Sequence, residues 1–304
     1  MSRASEKSRL WLPPYWLTWI GVGFLRLTNL LPWEERRALA RALAWFVWHL
    51  APIRRRVVLI NLRLCFPAKT EAEIRRLARA HYGALALGLF ETCAAWWSDA
   101  RELPPHRLVG AEHLRQALDR GHGVILLTAH FTTLEICARL MAGTFPVGAL
   151  YRDPNNPVIA HLMRGQRERH TSIAVHFDDL KGLIRALRAG HAMWYAPDQG
   201  KRTKLSEILP FFGVPAITNT ATSKLAQMTG APVVPYFGRR ETDGSYTLTL
   251  LPALENFPTA DAAADAVRIN RLIEEHVHRA PEQYFWVHKR FKARGPGYAD
   301  VYSP

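Results

Sequence analysis

From position 120 to 255, short apolar runs alternate with stretches of helical periodicity. The apolar runs predict strands at 124–128, 146–151, 172–176, 192–196, 232–238 and 245–251. Between them, apolar residues at i, i+3, i+4 spacing predict helices at 133–142, 156–169, 179–189 and 217–228. Gly190 and Gly230 fall just past two of these helices, and Asp178-Asp179 puts negative charge at the start of one. Asp243-Gly244, between two strand-like runs, predicts a hairpin, hence an antiparallel element on a mostly βα pattern. Residues 34–100 are helical in pattern throughout, and a last helix is predicted over 261–279. The expected fold is α/β: a central mixed β-sheet flanked by helices, in a single domain over residues 34–304, with a helical N-terminal lead-in.

Residues 1–33 form that lead-in. Trp11–Trp33 ("WLPPYWLTWIGVGFLRLTNLLPW") is largely apolar but lacks the small-residue cleavage site of a signal peptide. Leu17, Ile20, Val22, Phe24, Leu25, Leu27, Leu30 and Leu31 contribute roughly −4 kcal/mol towards insertion, against about +3 for Arg26. Spanning is therefore marginal. Arg3, Lys7 and Arg9 precede the segment while Arg36, Arg37, Arg41 and Arg54–Arg56 follow it, so charge does not set a topology. A membrane-anchoring helix lying in the interface, or a short tilted span, is expected.

Composition narrows the class of partner. Forty Lys+Arg against 26 Asp+Glu give a formal charge of +14, which calls for anionic partners. The basic residues are spread along the chain and the aromatics crowd the apolar N-terminus, so no basic groove with stacking rings is indicated and nucleic acid is not an expected partner. Ten tryptophans favour a membrane interface. Cys65, Cys93 and Cys137 show no CxxC spacing, which argues against a zinc site or a disulfide framework. Walker, GxSxG, HExxH and Rossmann patterns are absent, so no metal or nucleotide cofactor is expected.

Three clusters carry candidate chemistry. "VILLTAHFTTLE" (124–135) runs a predicted strand into His130, with Glu135 five positions on. Thr132-Thr133-Leu134-Glu135 fits a capping box, with Thr132 as N-cap, Glu135 at N3 and Phe131 stapled to Ile136. That accounts for Glu135 but not for the histidine, and a histidine facing a carboxylate suits general-base activation of a hydroxyl. "MWYAPDQG" (193–200) places Asp198 at a second predicted strand end, where reactive groups of α/β sheets gather. "YRDPNNPVIAHLMRGQRERH" (151–170) holds Arg152, Arg164, Arg167 and Arg169, either a solvated face or a clamp for phosphate or an oxyanion. The basic stretch "HKRFKAR" (288–294) reads as a tail of the kind that binds nucleic acid or anionic headgroups, or nothing specific.

"HFTTLE" is the H-x4-E form of the H-x4-D/E motif of lysophospholipid-type acyltransferases. More specifically, the chain resembles the late acyltransferases of lipid A biosynthesis, the lauroyl and myristoyl transferases. The resemblance runs in order through "RRRVVLINLRLCFP" (54–67), "VILLTAHFTTLE", "LYRDPNNPVIAHLMRGQRER" (150–169), "WYAPDQG" (194–200), "PFFGVPAIT" (210–218) and "VVPYF" (233–237). It implies acyl transfer from acyl carrier protein to a hydroxyl of an anionic glycolipid, a lipid A precursor of the Kdo2-lipid IVA type. The setting implied is the inner membrane, with the catalytic domain facing the cytoplasm. By motif, His130 is the base and Glu135 its partner. Arg164 or Arg167 takes a substrate or oxyanion role, and Arg152 and Asp198 join the substrate-binding set. Later members of the family usually read D-x-D/E-aromatic-G in the acidic segment, whereas here Gly200 follows Gln199 and Lys201-Arg202-Thr203-Lys204 comes next. Another glycolipid or aminolipid acceptor, or a non-catalytic membrane protein keeping the fold, remain as alternatives.

Overall fold

A computed structural model describes residues 10–200, 202–292, 294 and 297–303. Arg3, Lys7, Arg9 and Lys201 lie outside the described residues.

Four helices lead in: α1 (Trp16–Leu27), α2 (Trp33–Leu50), α3 (Pro52–Cys65) and α4 (Glu71–Trp97). At 12 residues α1 is about 18 Å long, short of a bilayer core. No helix among the described residues is long and apolar enough to cross a membrane. One side of α1 is fastened to the protein, Asn156 donating to Thr18 Oγ1 at 2.9 Å. Its other side presents Leu17, Ile20, Phe24 and Leu27 to solvent at three- and four-residue spacing.

The chain then alternates: β1 (His106–Val109), α5 (Ala111–Leu118), β2 (Val124–Leu127), α6 (Leu134–Ala142), β3 (Val147–Tyr151), α7 (Pro157–His170), β4 (Ala174–His176), α8 (Leu180–Arg188) and β5 (Ala192–Tyr195). It continues through β6 (Ser206–Phe211), β7 (Val214–Asn219), α9 (Ala221–Thr229), β8 (Val233–Arg240), β9 (Tyr246–Leu250) and α10 (Ala262–Arg279). Seven strands form one sheet in the order β1-β9-β8-β2-β5-β3-β4. Every pairing in it is parallel except β8–β9, the hairpin that Asp243-Gly244 predicts.

β2 lies in the middle and is buried on both faces, as its unbroken apolar run requires. Ile125 and Leu127 pack into one core layer, which includes residues of α3, α8, α9 and α10, and Val124 and Leu126 pack into the other with residues of α4, α5 and α6. This is the expected mixed α/β architecture.

Two elements differ from the sequence pattern. The predicted helix over 217–228 starts at Ala221, because 214–219 is a strand of a separate two-stranded ribbon, β6–β7. Its partner β6 is largely exposed despite Ile208, Leu209 and Phe211, and Pro210 faces Pro215 across the ribbon, so a normal strand signal is missing. The basic stretch over 288–294 is not a tail either. Arg290 and Phe291 are buried, and Arg290 donates to Ile217 O and Thr218 Oγ1 of β7.

Candidate active site

The parallel register pairs Leu127 of β2 with Tyr195 of β5, and Thr128 N–H bonds Tyr195 O at 2.9 Å. His130 and Asp198 each lie three residues beyond that rung, so adjacent strands deliver them side by side. His130 Nδ1 is 2.6 Å from Asp198 Oδ1. Asp198 Oδ2 accepts from His130 N–H and from Tyr284 O–H, both at 3.0 Å. A carboxylate accepting at Oδ1 places the ring proton on Nδ1 and leaves Nε2 as the lone-pair nitrogen, without a partner among the described residues. The ring lines a cavity of about 590 Å³.

Electrostatics keep the Asp198 carboxylate ionised and make the imidazole more basic. Burial alone would lower the His130 pKa, but the Asp198 charge and hydrogen bond outweigh it and hold it above the ordinary histidine value. Burial pushes the Asp198 carboxyl up, while His130 and the Tyr284 hydroxyl more than reverse this and hold it below the usual carboxylate range. The carboxylate bound to His130 is thus Asp198 and not Glu135, and Asp198 faces the imidazole from behind rather than lining the cavity.

Glu135 is held elsewhere. It forms an ion pair with Arg167 of α7 and accepts from Trp96 Nε1 of α4 at 3.1 Å. The capping box is absent: α6 takes Thr133 as N-cap, with no side-chain cap bond. The reason is the C-terminal segment, where Gln283 O accepts from Thr132 N–H at 2.7 Å and Phe285 N–H donates to His130 O at 3.0 Å. These bonds draw 130–132 into an extended bridge and delay the helix. Thr133 Oγ1 donates to Gly238 O, and Phe131 packs edge-on against Phe237 and Tyr284 in place of the predicted staple.

The arginine block divides. Arg167 and Arg152 line the cavity, Arg152 lying 5.5 Å over the Phe177 ring. Arg164 is turned away and pairs with Asp153 at 3.0 Å, nearly half exposed. Apolar walls come from Ala95, Leu134, Ala138, Ala149, Leu150 and Ala196, so a mostly hydrocarbon space ends at a base and an arginine. Among the described residues, no group of three or more His, Cys, Asp or Glu side chains is placed to hold a metal. Tyr284, Gln283 and Trp96 are site residues that the sequence pattern does not single out. The only local signal is the apolar–aromatic run "YFW" before the basic stretch, which marks the segment as interior.

The chain is similar to several known proteins. The chain matches the family model described as bacterial lipid A biosynthesis acyltransferase over residues 3–293. It is 38% identical to the lipid A biosynthesis lauroyltransferase of Escherichia coli strain K12, over 95% of this chain and 96% of that protein. It is 34% identical to the palmitoleoyltransferase of the same organism, with 95% of each chain covered. A solved 1-acyl-sn-glycerophosphate acyltransferase from Thermotoga maritima is more distant, at 13% identity and a TM-score of 0.39, with 81% of this chain and 97% of that one covered. The chain belongs to the bacterial lipid A biosynthesis acyltransferase family and is an acyltransferase.

Proposed function

We propose that the protein transfers a fatty acyl chain from acyl carrier protein to a hydroxyl of a lipid A precursor of the Kdo2-lipid IVA type, at the cytoplasmic face of the inner membrane. The observation that carries the mechanism is the His130 Nδ1–Asp198 Oδ1 bond of 2.6 Å, which leaves Nε2 free at the cavity wall. Nε2 accepts the hydroxyl proton as the oxygen attacks the thioester carbonyl, and Asp198 stabilises the imidazolium that forms. Arg167 offers its guanidinium to the oxyanion of the tetrahedral intermediate, held in place by Glu135. Collapse expels the thiolate, which recovers the proton from His130. The relatives' names support the acceptor class, and the exposed apolar stripe of α1 supports a position at the lipid surface.

The test uses detergent-solubilised protein, acyl carrier protein loaded with chains of graded length and a tetraacylated lipid A precursor, with the product read by mass spectrometry. Transfer by the wild type and a loss of about 10²–10⁴-fold in His130→Ala are expected. No transfer with any chain length would sink the acceptor assignment, and an active His130→Ala would sink the mechanism.

A further inference from the structure

Beyond Glu135 the cavity continues along α6. One helical turn on, about 6 Å along the axis, Arg139 lines the same wall. Its Nε is buried without a hydrogen-bond partner. Among the described residues no carboxylate pairs with it, and burial and then the neighbouring Arg169 both lower its pKa. His170, from the last turn of α7, lines this end too, its Nε2 3.4 Å from Trp96 O. Burial first, then Arg139, and also Arg169, disfavour its charged form. One turn back on α7, Gln166 lines the cavity with its side-chain oxygen buried and unpaired. Glu135, the nearest acid on this wall, is already taken by Arg167 and Trp96.

Arg139 and His170 thus meet at one end of the cavity, with the Arg169 charge close to both. Like charges in such a setting repel, and an anion between them would turn that cost into attraction. Arg with a second cationic donor suits the tetrahedral, multiply charged phosphate, since the guanidinium fork can engage two of its oxygens. We propose that Arg139, flanked by Arg169 and His170, forms a phosphate-binding subsite that anchors a phosphate group of the substrate while His130 acts on the hydroxyl. Gln166 Oε1 then accepts from a hydroxyl beside that phosphate. The proposal rests on the acyl-transfer reading for the identity of the substrate, and two substrates offer the group: the acceptor's sugar phosphate and the phosphodiester of the carrier's prosthetic arm.

Steady-state kinetics of Arg139→Gln and Arg139→Lys, on a phosphorylated acceptor and on the same acceptor after phosphatase treatment, separate the outcomes. Arg139→Gln should raise KM for the phosphorylated acceptor roughly 10- to 100-fold with kcat within about threefold, and Arg139→Lys should recover part of it. Wild type on the dephosphorylated acceptor should match Arg139→Gln, with no further loss when both changes are combined. A rise confined to the donor's KM keeps the subsite and assigns its phosphate to the carrier. Unchanged KM values for both substrates, or equal losses on both acceptors, would overturn it. If the wild type transfers to no acceptor, the acyl-transfer reading fails. The subsite is then judged by inorganic phosphate, which should raise the thermal midpoint of wild type but not of Arg139→Gln; equal shifts would overturn it.

Discussion

Asp198 Oδ2 accepts from two fixed donors, His130 N–H and Tyr284 O–H, which dictates what an amide could do in its place. In Asp198→Asn the carbonyl oxygen must stay with those donors, so the amide NH2 faces Nδ1 and forces the proton onto Nε2. The imidazole then cannot accept, and kcat/KM should fall about 10²–10⁴-fold. The pH profile carries the sign. In wild type His130 acts as base only when neutral, and its pKa is raised, so the acid limb of kcat/KM should lie above the ordinary value of about 6.5. Without the Asp198 charge, burial and the Arg167 charge remain, both lowering the His130 pKa, and residual activity should show that limb at lower pH. Glu135→Gln should cost about 10–100-fold by loosening Arg167 yet leave the limb where it was, since Glu135 does not touch His130. A limb that moves in Glu135→Gln and not in Asp198→Asn would reverse the two assignments.

At the scale of elements, the site hangs on contacts between α4, β8 and the C-terminal segment. Glu91 of α4, fully buried, pairs with Arg240 at the end of β8 and accepts from Tyr246 of β9. Arg240 exchanges backbone bonds of 2.9 Å with the Gln283 side chain, and Gln283 O holds Thr132. Removing one partner of a buried pair strands the other, so Glu91→Ala should lower stability by about 3–5 kcal/mol in urea titrations. A loss under about 1 kcal/mol would mean the pair is solvated. Gly88, one turn earlier, admits the loop: a Cβ there would lie 2.6 Å from Thr132 O. These links explain what was legible. The buried run 124–127, the amphipathic helices and the Asp243-Gly244 turn declare themselves through local periodicity, and His130 through its place after a strand. The pairing of His130 with Asp198 depends on the register of β2 against β5, and the lost capping box depends on residue 283. Both are long-range properties without a local trace. Arg164 and Arg167 share a helix and a composition, and only the rotation of α7 against α6 separates them.

The whole molecule combines an exposed apolar stripe with a positive formal charge. Leu17, Ile20, Phe24 and Leu27 stand out along α1, Leu17 being 81% exposed, on a chain of formal charge +14. On the proposed placement at the lipid surface, the stripe would enter the headgroup region while basic residues meet anionic lipid. Replacing Leu17, Ile20 and Phe24 with serine should reduce co-sedimentation with anionic vesicles roughly tenfold or more, with solution activity on a dispersed acceptor retained. Binding lost to salt alone, and indifferent to the serines, would assign the affinity to charge rather than to α1.

Residues 281–285 follow every strand among the described residues, yet they pair the backbone of 130–132 and orient Asp198. A stop codon or frameshift anywhere between 199 and 281 would therefore yield a product that still carries His130, Glu135, Arg167 and Asp198 but lacks the Tyr284 hydroxyl and the backbone bonds that fix the His130 loop. A shortened product of this kind would keep every catalytic side chain and still lack the segment that completes the base.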